Sequence, residues 1–344
     1  MISLMQVMAG APVGGAEAFF ERLVMALDGQ SIEQAVVVRH HQERVRRLRD
    51  AGIEPETLRF GGFFDVFTRL KLKRLIDRTR PQIVLTWMNR ATAACPASTQ
   101  ARPFVLVARL GGYYNLKYYR HCDHLVANTH GIRRYLVDQG WDPERVHYLP
   151  NFVEFDDVDR PSAAPSVSPV TRHIFAAGRL HENKGLDVLI RALPMVKHAH
   201  IDIAGSGPLA RSLQGLASEI GVADRISWLG WVDGLSEHYR ASDLFVCPSR
   251  HEPLGNVIVE AWAHRCPVVA AAAQGPLELI ENGTDGLLVE IDDHVALAGA
   301  INKVLDEPAL GQSMAAAGYA RYVDSFSKDV VVGQYMNFFE SIVS

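Results

Sequence analysis

Short apolar runs and helical patterns alternate along this chain twice over, and that alternation restricts the fold more than any other property of the sequence. In the first half, residues 2–8, 35–38, 83–86, 104–108 and 125–127 are apolar runs of strand length, while 15–27, 63–79 and 131–139 carry apolar residues at helical spacing. In the second half, 173–177, 201–204, 226–229, 244–247, 268–270 and 287–289 repeat the strand signal, again with helical stretches between. Strand–helix–strand order of this kind implies a parallel sheet covered by helices. The expected fold class is α/β, with two Rossmann-like domains facing one another and ligands bound in a deep interdomain cleft, at the carboxyl ends of the strands.

The 344 residues suit two domains of ordinary size. After Pro150-Asn-Phe-Val-Glu154, residues 156–169 are rich in Asp, Pro, Ser and Ala, which is the best linker signal in the chain. An N-terminal domain is expected at 1–152, a linker at 153–170, a C-terminal domain at 171–325 and a last helical segment within 326–344.

The N-terminus, Met1-Ile-Ser-Leu-Met-Gln-Val-Met8, has neither a basic flank nor a long apolar core and reads as a first buried strand instead of a signal peptide. No run approaches the roughly 18 apolar residues of a membrane span, so a cytoplasmic location is expected. Cys95, Cys122, Cys247 and Cys266 have no paired spacing and read as buried thiols. His121, Cys122 and His124 lack further ligands at sensible spacing, so no metal site is expected. Residues 1–150 hold 21 Lys and Arg against 14 Asp and Glu, a net of +7, whereas 151–344 carry −11. A basic half joined to an acidic one suits an anionic partner such as a phosphorylated glycolipid or an anionic membrane surface, though ordinary surface charge would read the same way. No nucleic-acid partner is expected. The basic, aromatic stretch Phe60–Arg80 reads as a helix whose Phe67, Leu70 and Ile76 pack on the sheet, with Phe63 and Phe64 at its tip as a membrane candidate.

The richest local pattern is Arg250-His-Glu-Pro-Leu-Gly-Asn-Val-Ile-Val-Glu260. It reads as a loop after a strand and then a helix, with Glu252 in the loop and Glu260 about two turns into the helix. Gly255, Asn256 and Val257 stand at the helix N-terminus, where N–H groups and the helix dipole suit phosphate or sugar oxygens. Leu254 completes the turn.

Glu252 and Glu260 resemble the E-x7-E motif of the retaining GT-B glycosyltransferases of family 4. Gly178-Arg-Leu-His-Glu-Asn-Lys-Gly185 is similar to that family's G-R-L-x-x-x-K-G segment, Gly14-Gly-Ala-Glu17 to its N-terminal glycine loop, and Asn151 to its junction segment. Gly205-Ser-Gly207-Pro-Leu and Gly275-Pro-Leu-Glu-Leu-Ile280 also match. The likeness covers nearly the whole chain. It implies a GT-B fold whose last helix crosses back to the first domain, and a hexosyltransferase that uses a UDP- or GDP-hexose donor, a glycan or glycolipid acceptor, and no metal or other cofactor. It most resembles bacterial transferases of lipopolysaccharide core or similar envelope glycans.

On this reading Arg179 and Lys184 neutralise the leaving diphosphate. Glu252 accepts hydrogen bonds from the hexose, and Glu260 binds the ribose hydroxyls. Gly14, Gly15, Gly178, Gly205 and Gly207 let the backbone approach the donor closely. Glu17, Arg109, Gly112 and Tyr113 are the candidates for acceptor contact. Many family members carry a His where this chain has Arg109, which either replaces it or is a structural residue before the Gly111-Gly112 turn. Two other functional classes are a non-catalytic nucleotide-sugar-binding protein, which the missing His would suit, and a GT-B sugar-nucleotide epimerase, which the paired motifs disfavour. The Gly205 turn lacks the G-x-G-x-x-G spacing of a dinucleotide site, and a dehydrogenase is disfavoured because no such fingerprint follows the first strand.

Overall fold

The computed structural model describes residues 1–12, 14–61, 65–101, 103–154, 171–232 and 234–343. The greater part of the expected linker, 155–170, and the Phe63–Phe64 tip lie outside them. The chain forms two compact units, one comprising Met1–Phe152 with Lys328–Ser344, the other Val153–Ser327.

The first unit is built from β1 (Ile2–Met8), α1 (Gly15–Leu27), β2 (Ile32–Arg39), α2 (Gln42–Asp50), β3 (Glu56–Leu58), α3 (Val66–Thr79), β4 (Ile83–Trp87), α4 (Met88–Ala94), β5 (Val105–Leu110), β6 (His124–Ala127), α5 (His130–Asp138), β7 (Val146–Tyr148) and the last helix, α13 (Lys328–Val343). Its seven strands lie in the order β3-β2-β1-β4-β5-β6-β7, and all pair in parallel. Alternate residues of a strand point to opposite faces. Leu4 and Met8 of β1 therefore join one core with Phe19, Phe20, Leu23 and the α13 residues Val331, Tyr335 and Phe339, while Met5 and Val7 join another with Leu72, Ile76 and Ile132. Gln6 lies on the first face, fully buried, and is satisfied there. Its Nε2 donates to Gln34 Oε1 at 2.9 Å and its Oε1 accepts from Trp87 Nε1 at 3.1 Å.

The second unit contains β8 (Arg172–Ala177), α6 (Leu186–Ala192), β9 (Ala199–Ala204), α7 (Ala210–Ile220), β10 (Ile226–Gly230), α8 (Ser236–Ala241), β11 (Leu244–Cys247), α9 (Asn256–Ala263), β12 (Val268–Ala271), α10 (Gln274–Leu279), β13 (Leu287–Val289), α11 (His294–Asp306) and α12 (Pro308–Ser325). Its six parallel strands run β10-β9-β8-β11-β12-β13. Both ends of the unit close on themselves: Val153 N–H donates to Phe326 O at 3.2 Å, and the Tyr322 hydroxyl donates to Val153 O at 3.3 Å.

Four elements go beyond the sequence reading. Helix α2 buries only Arg44, Val45 and Leu48, too few apolar positions to show a period. Strands β3 and β7 are three-residue strands at the two sheet edges. Helix α4 is a single short segment after β4. One packing expectation fails. Phe67 is 79% and Leu70 47% exposed; of the three expected residues only Ile76 packs, together with Thr68, Leu72 and Leu75. No helix among the described residues is long and apolar enough to cross a membrane.

Candidate functional site

In the second unit, strand order reverses between β8 and β11, and the loops that leave the carboxyl ends of these strands define the site. They stack in sheet order on backbone hydrogen bonds. Gly178 N–H donates to Ala204 O at 2.9 Å, Gly205 N–H to Gly230 O at 2.6 Å, His251 N–H to Asn183 O at 3.0 Å and Gly275 N–H to Glu252 O at 2.7 Å. Four glycines of these loops, Gly185, Gly205, Gly207 and Gly275, lie too close to neighbouring backbone to carry a side chain, and in two of them the positive φ adds strain. Gly205 has φ 143°, and a Cβ there would sit 1.9 Å from Gly178 O; Gly185 has φ 58°, and its Cβ would sit 2.1 Å from Pro248 O. The second glycine of the Gly205 turn, Gly207, lies beneath Leu180, whose O accepts from Leu209 N–H at 3.1 Å.

This stacking brings Lys184 and Glu252 together at the reversal point. Lys184 Nζ donates to Glu252 Oε2, and the two side chains are 23% and 10% exposed. Ser249 Oγ also reaches Glu252 Oε2, at 3.4 Å, and Gly255 N–H reaches Oε1, at 3.4 Å. Lys184 is thus an ion-paired residue rather than a lone cation. Arg179 in the same loop is exposed and makes no ion pair among the described residues. Arg250 braces the floor, with bidentate hydrogen bonds to Asp187 at 2.8 and 2.6 Å, one to Glu182 O at 2.9 Å and one to Asp292 at 2.5 Å.

Helix α9 starts at Asn256 after Gly255, which has φ 73°, so the N–H groups of Asn256 and Val257 belong to a first helical turn with no earlier helical carbonyl to bond. Leu254 is half-buried just before it. Glu260 lies a little over one turn in, closer to the helix start than expected. Its Oε2 accepts from the Tyr239 hydroxyl at 3.1 Å. Burial first, and the Glu260 carboxylate second, push the Tyr239 phenol well above its ordinary pKa, which keeps it a donor. All four cysteines are buried and none forms a disulfide. Burial pushes the Cys247 thiol, under the Glu252 loop, up to about 11.

In the first unit the order reverses between β1 and β4. The glycine loop after β1 is held from within. Glu17 is 4% exposed and turns back, and its Oε1 accepts from Ala11 N–H at 2.7 Å. A Cβ on Gly14 would lie 2.3 Å from Glu17 Oε2, so Gly14 answers to Glu17, whereas Gly15 has open space around it. Arg44, fully buried, ties the same loop through Ala11 O at 2.7 Å and Pro12 O at 3.3 Å.

The four residues expected at the acceptor have different settings in the first unit. Glu17 is spent on the loop. Arg109 is 2% exposed, with its guanidinium 4.7 Å from the ring centres of both Phe19 and Trp87, donating from Nε to the Tyr335 hydroxyl at 3.0 Å and from Nη2 to Asn151 Oδ1. This buried, bonded setting is what a structural residue before the Gly111-Gly112 turn would have. Tyr113 is 46% exposed and meets Tyr135 edge-on at 5.2 Å, and Gly112 lies against the Tyr114 ring. A cavity of about 500 Å³ opens instead at the reversal point, lined by Gly10, Ala11, Met88, Asn89, Tyr114 and Tyr118 among others. The signal that could have found it is Trp87-Met-Asn-Arg90, at the carboxyl end of β4, which pairs with β1. No three His, Cys, Asp or Glu side chains among the described residues are grouped to hold a metal. The one Asp-x-Asp pair following the first unit, Asp157-Val-Asp159, lies outside them.

Known proteins share this architecture. The family profile "Glycosyltransferase Family 4" matches residues 13–157, and "Glycosyl transferases group 1" matches 171–307. The chain is 32% identical over 338 residues to the lipopolysaccharide core biosynthesis glycosyltransferase LpsE of Rhizobium meliloti, covering 95% of this chain and 96% of that one. A glycosyltransferase from Rickettsia africae superposes with a TM-score of 0.85 at 18% identity, over 100% and 99% of the two chains. Anabaena Alr3699/HepE, solved with UDP and glucose, gives 0.80 at 19% identity over 99% and 100%. Two parallel-sheet units, both family profiles and a full-length relative agree: the chain is a glycosyltransferase with the GT-B fold and belongs to family 4.

Proposed function

We propose that this chain transfers a hexose from a nucleoside-diphosphate sugar to a glycan or glycolipid acceptor of lipopolysaccharide core, with retention of anomeric configuration and without a metal. The observation that carries the donor half is the Lys184–Glu252 pair at the strand-order reversal of the second unit, roofed by glycine turns and flanked by the start of α9. A cation and a carboxylate side by side suit the two ends of the scissile bond. Lys184, with Arg179, meets the diphosphate as its charge grows, and Glu252 receives the hydroxyls of the hexose. Glu260, whose carboxylate Tyr239 fixes, takes the ribose hydroxyls on this reading.

No side-chain nucleophile is assigned. The Cys247 thiol is held protonated by burial, and the leaving phosphate itself serves to take the proton of the incoming hydroxyl. UDP is the first nucleotide to test, because HepE, similar in fold, was solved with UDP and glucose; GDP is the second. LpsE supports a lipopolysaccharide core acceptor, seated at the cavity of the first unit. The basic helix α3, with Val66, Phe67 and Leu70 exposed, supports docking on the anionic inner face of the membrane.

The test is thermal stabilisation by UDP, GDP, ADP and CMP at equal concentration, with and without magnesium. A ligand bound 100-fold above its Kd adds about 2.7 kcal/mol. A shift with one nucleoside diphosphate, unchanged by magnesium, is expected. No shift with any nucleotide would overturn the donor site.

A further inference from the structure

The cavity of the first unit is charged, and its charge is one-sided. Among the described residues, Arg39 at the end of β2, Arg69 on α3 and Arg90 on α4 line it, with Asp65 the sole carboxylate. Asp65 is fully engaged elsewhere. Its Oδ1 accepts from Thr68 N–H at 2.9 Å, and its Oδ2 accepts from Gly61 N–H at 2.7 Å and the Thr68 hydroxyl at 2.6 Å. The side chains of Arg39 and Arg90 make no hydrogen bond or ion pair among the described residues. Asn89 Oδ1 is taken by the Tyr119 hydroxyl, which leaves its Nδ2 as one more donor. Tyr114 and Tyr118 supply aromatic surface beside these donors.

Backbone strain is concentrated here as well. Of the six left-handed non-glycine residues among the described ones, Phe60 at φ 48° and Met88 at φ 66° both line this cavity. Such residues persist where the surroundings over-determine them, and they gather at binding sites. A volume of about 500 Å³ is within the range of small-molecule sites.

We infer that this cavity is a subsite for an anionic sugar: the acceptor presents a hexose-sized unit bearing a phosphate or carboxylate, which Arg39 and Arg90 bind while the tyrosines face the ring. Guanidinium forks match both anions bidentately, and aromatic faces suit sugar rings. The inference rests on the transferase reading for the word acceptor, while the binding itself does not depend on it.

The experiment is calorimetric titration of the whole chain with glucose 6-phosphate, glucuronate, glucose and glycerol 3-phosphate, repeated with Arg39→Gln and Arg90→Gln and in the presence of saturating UDP. At least one anionic hexose is expected to bind about tenfold tighter than glucose, and the phosphohexose tighter than glycerol 3-phosphate. Each variant should lower that affinity about tenfold while leaving the melting temperature and the UDP affinity unchanged. Three results would overturn the assignment: glucose binding as well as both anionic hexoses, glycerol 3-phosphate matching the phosphohexose, or UDP displacing the sugar. Failure of UDP to bind would sink the donor reading alone, because the sugar titration stands without it.

Discussion

Replacing Lys184 by Met and Glu252 by Gln, singly and together, separates the two roles assigned to the reversal point of the second unit. At roughly 4 Å and an effective dielectric near 20, unit charges attract by about 4 kcal/mol before desolvation. Exposed pairs net about 0–1 kcal/mol, whereas removing one partner of a fully buried pair costs about 3–5. With side chains 23% and 10% exposed, this pair lies between. Lys184→Met strands the more buried partner, whose remaining contacts to Ser249 and Gly255 are long, and is expected to cost about 2 kcal/mol, a drop in Tm of about 4–8 °C. Glu252→Gln leaves the better-exposed ammonium, which can turn to water along its flexible stem, and should cost about half as much. The double variant should be less destabilised than the sum, because neither partner is left alone. Binding should split differently. Lys184→Met loses a charge-assisted contact to diphosphate and weakens UDP about 10–100-fold. Glu252→Gln releases Lys184 and leaves UDP no weaker, but abolishes any preference for UDP-hexose over UDP. Scanning calorimetry and nucleotide titration read both. Equal loss of UDP affinity in the two single variants, or additive destabilisation, would refute the division of labour.

Other consequences are open to direct measurement. Gly185→Ala combines a left-handed backbone with a clash on Pro248 O and should lower stability by about 2 kcal/mol or more; an unchanged Tm would contradict the stacked loops. Arg109→Met should cost about 1–3 kcal/mol for each buried partner left unsatisfied and speed hydrogen exchange in α13, and Lys should not rescue it, since an ammonium cannot reproduce the fork between Tyr335 and Asn151. His147, 3.1 Å from His124, has its pKa lowered to about 4, by burial first and then by His124 and Arg133. The folded protein therefore takes up this proton later than the unfolded chain. Its contribution is whole above about pH 6.5 and is lost as pH falls toward 4, so the melting curve of His147→Gln should be flatter across that window. Phe67→Ser should release the protein from phosphatidylglycerol vesicles in sedimentation, and equal pelleting of both forms would remove the α3 surface from the reading.

The second unit was the more legible, for a physical reason. Its loops touch through backbone, so the sequence must spend glycine wherever two loops meet, and Gly178, Gly185 and Gly205 stand out by their identity. The first unit hides more. Arg109 is held by Tyr335, 226 residues away, a contact no local pattern announces. Glu17 looks like an outward acid at a helix start and is turned inward by the loop that precedes it. Arg39, Asn89 and Arg90 converge only because β2 and β4 flank β1 in the sheet. Phe67 carried an apolar signal that burial did not honour.

The return of the chain to its first unit sets an order of events. Residues Val153–Ser327 form one uninterrupted unit, whereas the core around Phe19 and Leu23 lacks Val331, Tyr335 and Phe339 until α13 has been synthesised. On the ribosome the later-made unit therefore has all its residues first. The earlier-made one waits with α1 and α2 on that face of its sheet but part of the face uncovered, and depends on the last helix for closure.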